Sequence, residues 1–189
     1  MKFNETKIKG LYTAELNPIR DHRGFFSRLY CDEAIKEAGI KKPVKQINHS
    51  LTPEPGSIRG LHYQLPPFAE AKIVRCVYGE IFDVAVDLRR DSDTFLQWHG
   101  EFLSADNFKL MIIPEGCAHG FQVIKKDSEI FYLSTESYNK DVELGIMFND
   151  KKIGIEWPLQ AVNISDRDSK HGPIGENFKG LVLREGVIF

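Results

Sequence analysis

The stretch Ile81-Phe-Asp-Val-Ala-Val-Asp-Leu-Arg89 alternates at period two, placing Phe82, Val84, Val86 and Leu88 on one face and Asp83, Asp87 and Arg89 on the other. Such a segment needs neighbouring strands, and the chain supplies them. Val44–Leu51, Ile58–Gln64, Ala71–Tyr78 and Glu80–Arg89 are each bounded by Pro, Gly or Asp clusters. Trp98–Leu103, Leu110–Ile113, His119–Ile124, Glu129–Ser134 and Leu144–Phe148 follow at similar spacing. Residues 1–20 read as extended chain with a turn at Asn17-Pro18, and Asp21-His-Arg-Gly24 signals a second turn. One short helix is expected, capped by Asp32, with Glu33 in its first turn and Gly39 at its end. Many short strands at regular spacing predict an all-β chain, a double-sheet jelly roll or barrel. The turn-rich tail from Asp150 is expected to pack over it.

At 189 residues the chain suits one domain over 1–189 and buries enough surface to need no staples. Lys plus Arg is 25 and Asp plus Glu is 27, a net charge of −2, which lacks the basic excess of a nucleic-acid binder. No window reaches the ~18 apolar residues of a membrane span, and MKFNETKIKG has no apolar core of the signal-peptide kind. Cys31, Cys76 and Cys117 form no CxxC pair, so reduced thiols and a cytoplasmic location are expected.

Polar residues cluster in three places: Arg59-Gly-Leu-His62-Tyr-Gln64 with Lys72; Pro114-Glu-Gly-Cys-Ala-His119; and Phe131-Tyr132 with Tyr138 and the distant Asp168. Histidines in a small barrel raise the question of a metal. The cupin pattern G-x5-H-x-H, a Glu, then x6-G meets Gly56, His62 and Gly79 here, but Gln64 and Lys72 stand at two ligand positions. Pro114, Gly116 and His119 match the second motif, P-x-G-x2-H. The chain therefore resembles a cupin shell with a broken ligand set. Two histidines fall short of the three protein ligands usual at a catalytic metal, and no metal or other cofactor is expected.

Without a metal, a histidine, a lysine and a tyrosine suit proton abstraction beside a carbonyl. Histidine is a base near neutral pH, a cation steadies enolate oxygen, and a phenol can return the proton. A carboxylate behind the histidine would fix its tautomer. Taken singly, each has a structural explanation. His62 alone suits a half-buried bonded group, Lys72 an outer face, Tyr132 a core position, and Asp168 a turn. His22, His49, His99 and His171 read as structural or surface residues. On a flat strand Arg59 faces away from His62, so sharing one pocket requires a bulge near Gly60.

In order along residues 15–170 come Arg59-Gly-Leu-His62-Tyr-Gln64, Lys72-Ile-Val, Gly79–Arg89, Ser92-Asp-Thr-Phe95, Ile113-Pro-Glu-Gly-Cys-Ala-His-Gly-Phe121 and Ile155-Glu-Trp-Pro158. This series resembles the dTDP-4-dehydrorhamnose 3,5-epimerase family. The resemblance implies a metal-free, cupin-like double-stranded β-helix, a homodimer, acting on a nucleotide-linked 4-keto-6-deoxyhexose whose carbons 3 and 5 are acidified by the ketone. By motif position His62 is the base, Asp168 its partner, Lys72 the stabiliser of the enolate and Tyr132 the acid. Arg59, His119, Glu143 and Arg167 fall at substrate or diphosphate positions. Arg23, Phe26, Gln46, Ile47 and Asn48 fall at nucleotide-contacting positions, with Tyr138 near the base.

Three stretches depart from the family pattern. Arg28 stands where a Glu often helps hold the nucleotide, Cys117 replaces a common Phe, and Asn139-Lys140 replaces a frequent Ser-Pro. The neighbouring readings are an epimerase of carbon 3 or carbon 5 alone, or of a CDP-linked sugar. More distant ones are a metal-dependent cupin enzyme and a sugar-binding cupin without catalysis.

Overall fold

The computed structural model describes residues 1–183, which form thirteen strands, one α-helix and one 3-10 turn. The strands are β1 (Lys2–Glu5), β2 (Tyr12–Glu15), β3 (Ile19–Asp21), β4 (Gly24–Phe26), β5 (Gln46–Thr52), β6 (Ile58–Gln64) and β7 (Lys72–Tyr78). They continue as β8 (Glu80–Asp87), β9 (Trp98–Ser104), β10 (Lys109–Ile113), β11 (Cys117–Val123), β12 (Ser128–Ser134) and β13 (Glu143–Gly145). Six make one sheet in the order β1-β2-β10-β7-β12-β5, and five make a second in the order β13-β6-β11-β8-β9. The pairs β3 and β4 stand apart as a hairpin, joined by His22-Arg23 at the turn foreseen at Asp21–Gly24.

The two sheets face each other as a jelly roll. Val74 and Cys76 of β7, Met111 and Ile113 of β10 and Ile130 of β12 pack against Ile81, Ala85, Leu103, Cys117, Phe121 and Val123 of the opposite sheet. Each Val, Leu, Ile, Phe or Met side chain among them contributes about 1.5–3 kcal/mol by leaving water. Both outer faces are covered in part, and the edge strand β5 stays open. The helix α1 (Asp32–Glu37) lays Ile35, with Ala38 and Ile40 beyond it, on Ala14, Ile73, Leu110 and Ile112. The tail covers the other sheet with Ile153, Ile155, Trp157, Ile174 and Phe178.

That covering explains the alternation in β8. Phe82, Val84, Val86 and Leu88 meet the tail, while Asp83 and Asp87, both 0% exposed, point between the sheets. Both carboxylates are partnered, Asp87 through both oxygens and Asp83 through Oδ1 alone, its Oδ2 having no partner among the described residues. Asp83 meets His119, and Asp87 accepts from Arg89, Ser92 and Thr94.

The helix start differs from the expected one. Cys31 occupies the N-cap position without a side-chain bond, and Asp32 lies in the first turn. Its carboxylate is already held by the Tyr30 hydroxyl at 3.1 Å and Lys36 Nζ at 2.6 Å. Gly39 does end the helix, at φ +86°, with its N–H on Lys36 O.

Along β6 and β11, His62 pairs with His119 but Arg59 with Phe121, so three steps on β6 match two on β11. This is the bulge that the Arg59–His62 spacing required. Gly60 makes it possible at φ +113°, where a Cβ would stand 2.6 Å from His119 O and 2.7 Å from Gly120 Cα.

Candidate active site

A cavity of about 520 Å³ opens between the sheets at the bulge. His62 enters it from β6, and its Nε2 lies 2.7 Å from Asp168 Oδ1. Asp168 begins the 3-10 turn Asp168–Lys170 of the tail. Its other oxygen accepts the Gly60 N–H at 3.1 Å, and its own N–H donates to Ser165 Oγ at 3.0 Å. The bulge thus serves twice: it turns Arg59 inward and supplies the amide that fixes the carboxylate behind the histidine. Burial pushes the Asp168 carboxyl up, but the His62 hydrogen bond and charge, the Gly60 N–H and the nearby His171 outweigh it and bring it to about 2. An ionised Asp168 accepts from His62 Nε2–H, leaving Nδ1 as the free base of the ring.

The opposite wall comes from β7 and β12. Lys72 faces inward, with only 12% of its side chain exposed, and its Nζ lies 3.1 Å from Glu70. Tyr132 lines the same cavity. Desolvation, reinforced by the Glu70 charge, raises its phenol above the ordinary 10.0, so it holds its proton through neutral pH. Base and phenol therefore approach the cavity from opposite sheets.

His119 adds a second histidine–carboxylate pair, Nε2 to Asp83 Oδ1 at 2.7 Å. Burial raises the Asp83 carboxyl against the pull of His119. Arg59 Nε donates to Thr52 Oγ1 at 2.8 Å, and Arg167 pairs with Glu143 at 2.8 Å. Gln46 and Tyr138 complete this end of the lining, joined by the Tyr138 N–H on Gln46 Oε1 at 2.8 Å. The cavity mouth thus carries two guanidinium groups, suited to paired bonds with phosphate oxygens.

Four expected site residues stand outside this cavity. Arg23 and Phe26 sit on the exposed β3–β4 hairpin. Ile47 faces away from the cavity, 66% exposed, because β5 alternates and Gln46 takes the inner face. Asn48 is on the inner face but below the lining, where its Oδ1 accepts from Gln46 Nε2. Cys117 also does not line the cavity; it is buried in the core, its thiol pushed up to about 12 by desolvation. Asn139 holds the β12–β13 connection by donating its N–H to Gln64 Oε1 at 2.7 Å.

The sequence reading passes over Glu70 and Asp83 and takes His171 for a structural or surface residue. Glu70 lies two residues before Lys72, and Asp83 was marked only as a polar position in an alternating strand. His171 had no signal at all, since what brings it to Asp168 is the packing of the tail.

The family metal position of a cupin does not fit a cation here. Lys72 brings a positive charge to it, and the Gln64 amide is committed to Phe68 O, Ser137 O and the Asn139 N–H.

Asp168 makes stability depend on pH. With the folded carboxyl at about 2 against 3.8 for the free group, the unfolded chain binds more protons between these values. The pair then contributes about 2 kcal/mol that is present above pH ~4 and lost as pH falls through ~2. Urea midpoints measured from pH 5 to pH 2 are expected to fall more steeply in the parent than in Asp168→Asn.

A histidine–carboxylate dyad facing a cation and a protonated phenol inside a jelly roll defines an acid–base enzyme site of the carbon-acid type. Residues 5–176 match the family described as dTDP-4-dehydrorhamnose 3,5-epimerase, and the chain belongs to that family of isomerases. It is 46% identical over 169 residues to the dTDP-4-dehydrorhamnose 3,5-epimerase of Shigella flexneri, covering 89% of this chain and 93% of that relative. Among solved structures, the Bacillus anthracis enzyme with TDP and pyrophosphate bound superposes with a TM-score of 0.88 at 38% identity, over 92% of this chain and 99% of that one. The Legionella pneumophila enzyme in complex with dTDP-4-keto-L-rhamnose gives 0.89 at 34% identity, over 98% and 99%. Among the described residues no helix is long and apolar enough to cross a membrane.

Proposed function

We propose that this chain converts dTDP-4-dehydro-6-deoxy-D-glucose to dTDP-4-dehydro-L-rhamnose by inverting sugar carbons 3 and 5. The observation that carries this is the His62–Asp168 dyad opening into the same cavity as Lys72 and Tyr132. In the proposed cycle His62 Nδ1 takes a proton from the carbon beside the ketone. The electron pair moves onto the carbonyl oxygen, where the Lys72 ammonium offsets the charge. Asp168 holds the imidazolium that forms. Tyr132 then gives its proton to the opposite face of the carbon, and both groups are restored by exchange with water. Repeating the step at the second carbon completes the double inversion. Arg59, Arg167, His119, Glu143, Gln46 and Tyr138 are assigned to holding the sugar and its diphosphate.

The test is incubation with dTDP-4-keto-6-deoxyglucose in deuterated water, followed by proton NMR. Deuterium at both carbons 3 and 5 is expected. Uptake at one carbon alone, or none, refutes the double epimerisation.

The chain is further proposed to act as a homodimer in the cytoplasm. The family resemblance implies the pairing, and two apolar features outside the cavity favour it. The edge strand β5 presents Ile47 at 66% and Leu51 at 51% exposure, and the hairpin presents Ile19, Phe25 and Phe26. A second copy seated there would also give Arg23 and Phe26 a site to serve. Light scattering is expected to return twice the 21.6 kDa chain mass, and a monomer at micromolar concentration refutes the pairing. The cytoplasmic assignment is supported by three free cysteines.

A further inference from the structure

We propose that the dyad is also an inhibitory binding site for a zinc-class divalent cation, held by His62, Asp168 and His171. His62 Nε2 lies 2.7 Å from Asp168 Oδ1, His171 Nε2 lies 3.6 Å from the same oxygen, and the three ligand atoms fall within 4.8 Å of one another. Two imidazoles and one carboxylate form a donor set that zinc favours, and three protein ligands leave its fourth position open.

His171 is the residue that points to a ligand. Among the described residues its Nε2 is buried without a hydrogen-bond partner, and 3.6 Å is too long for a bond to Asp168. An orphaned buried nitrogen is costly, yet the surroundings keep this one in place. The ring lies over the backbone of β13 at Gly145, where any Cβ would come within 2.1 Å of Nε2. It meets the His62 ring edge-on, centroids 5.7 Å apart at 76°. The site is separate from the cupin metal position and shares only His62 with it.

Binding needs little movement. Zinc–nitrogen and zinc–oxygen bonds of about 2.0–2.2 Å put tetrahedral ligand atoms roughly 3.3 Å apart. The His62–Asp168 contact would open slightly, and the His171 contact would close. Asp168 Oδ2 can keep the Gly60 N–H throughout. The chemical consequence rests on the reading of His62 as base. A cation on Nε2 uses the lone pair there, so the single ring proton moves from Nε2 to Nδ1. No proton is gained or lost in this tautomer change. Nδ1 then has no lone pair for a carbon-bound proton, and abstraction stops.

The test titrates metal-stripped protein with zinc against a chromophoric chelator. One site per chain is expected, at least tenfold weaker in His171→Gln. His49→Gln removes another ring nitrogen beside a carboxylate, the His49–Glu129 pair at 2.8 Å, and should leave the affinity unchanged. No site in the parent, equal affinity in His171→Gln, or a loss in His49→Gln overturns the proposal. If His171→Gln does not fold, cobalt(II) on the parent decides: intense visible bands of four-coordinate cobalt support the site, and weak six-coordinate bands refute it. Zinc occupancy should lower solvent exchange of the sugar protons in proportion, and full activity with the site filled overturns the inhibitory role. The chelator and cobalt measurements need no sugar substrate, so they stand or fall separately from the proposed epimerisation.

Discussion

His62→Ala is expected to abolish deuterium uptake at both sugar carbons, by at least about 10³-fold, within the range that a positioned base contributes. Both inversions depend on the same Nδ1, so both carbons should lose exchange together. The alanine variant has a second consequence, because it takes the hydrogen-bond donor from Asp168, which is only 5% exposed. A buried charge left with the Gly60 N–H alone costs stability, about 1–3 kcal/mol. His62→Gln, whose longer side chain carries its amide nitrogen to about where the ring Nε2 stood, separates the two effects. An amide can donate to Asp168 Oδ1 but takes no proton from carbon, so this variant should melt closer to the parent and remain equally inactive. Exchange above a hundredth of the parent rate in either variant would remove His62 from the role of base.

The fold was legible because strands of this kind announce themselves through pattern and punctuation. β6 lies at Ile58–Gln64 as the residues alone predict, the other long strands shift by one or two positions at their ends, and the last strand, expected to reach Phe148, ends three residues earlier at Gly145. Those shifts have local causes. Leu88 leaves β8 because its N–H bonds Gly116 O, and the last strand stops at Gly145 because the Met147 N–H turns to Gly172 O. What the pattern could not convey is which face of β8 meets water. Neither does, since a tail of low periodicity covers the apolar face and the polar face is neutralised by His119, Arg89, Ser92 and Thr94.

Legibility of the site followed sequence distance. The bulge at Gly60 could be inferred because Arg59 and His62 are three residues apart, a local parity argument. Lys72 was ambiguous on propensity, since a lysine among apolar neighbours usually faces solvent; its inward face follows from the pairing of β7 between β10 and β12. Asp168 lies 106 residues from its histidine, and only the resemblance joined them. His171 belonged to neither kind of signal. Its placement depends on Gly145 opposite His62, a coincidence of three segments that no periodicity encodes.

Tyr132→Phe is expected to separate exchange from inversion. The substitution removes one oxygen from a half-buried ring packed against the core beside Ile130 and Val74, so packing should survive with less than ~1 kcal/mol lost. Abstraction by His62 precedes any contribution from the phenol. The enolate can then be formed and returned by the same imidazole on the same face, after that proton has exchanged with solvent. Deuterium should therefore enter at carbons 3 and 5 within about tenfold of the parent rate, while inversion falls by roughly 10²–10³. The raised phenol pKa gives a companion expectation with a definite sign. Because the acid form persists above 10.0, parent inversion should show no loss from phenol ionisation between pH 7 and 9, and any decline on the alkaline side should begin higher. NMR of the recovered sugar reads both quantities in one sample, isotope content for exchange and coupling constants for configuration. Equal falls in exchange and inversion would mean that Tyr132 acts before or during abstraction. Unchanged inversion would mean that another group, such as water held near Glu70, delivers the proton.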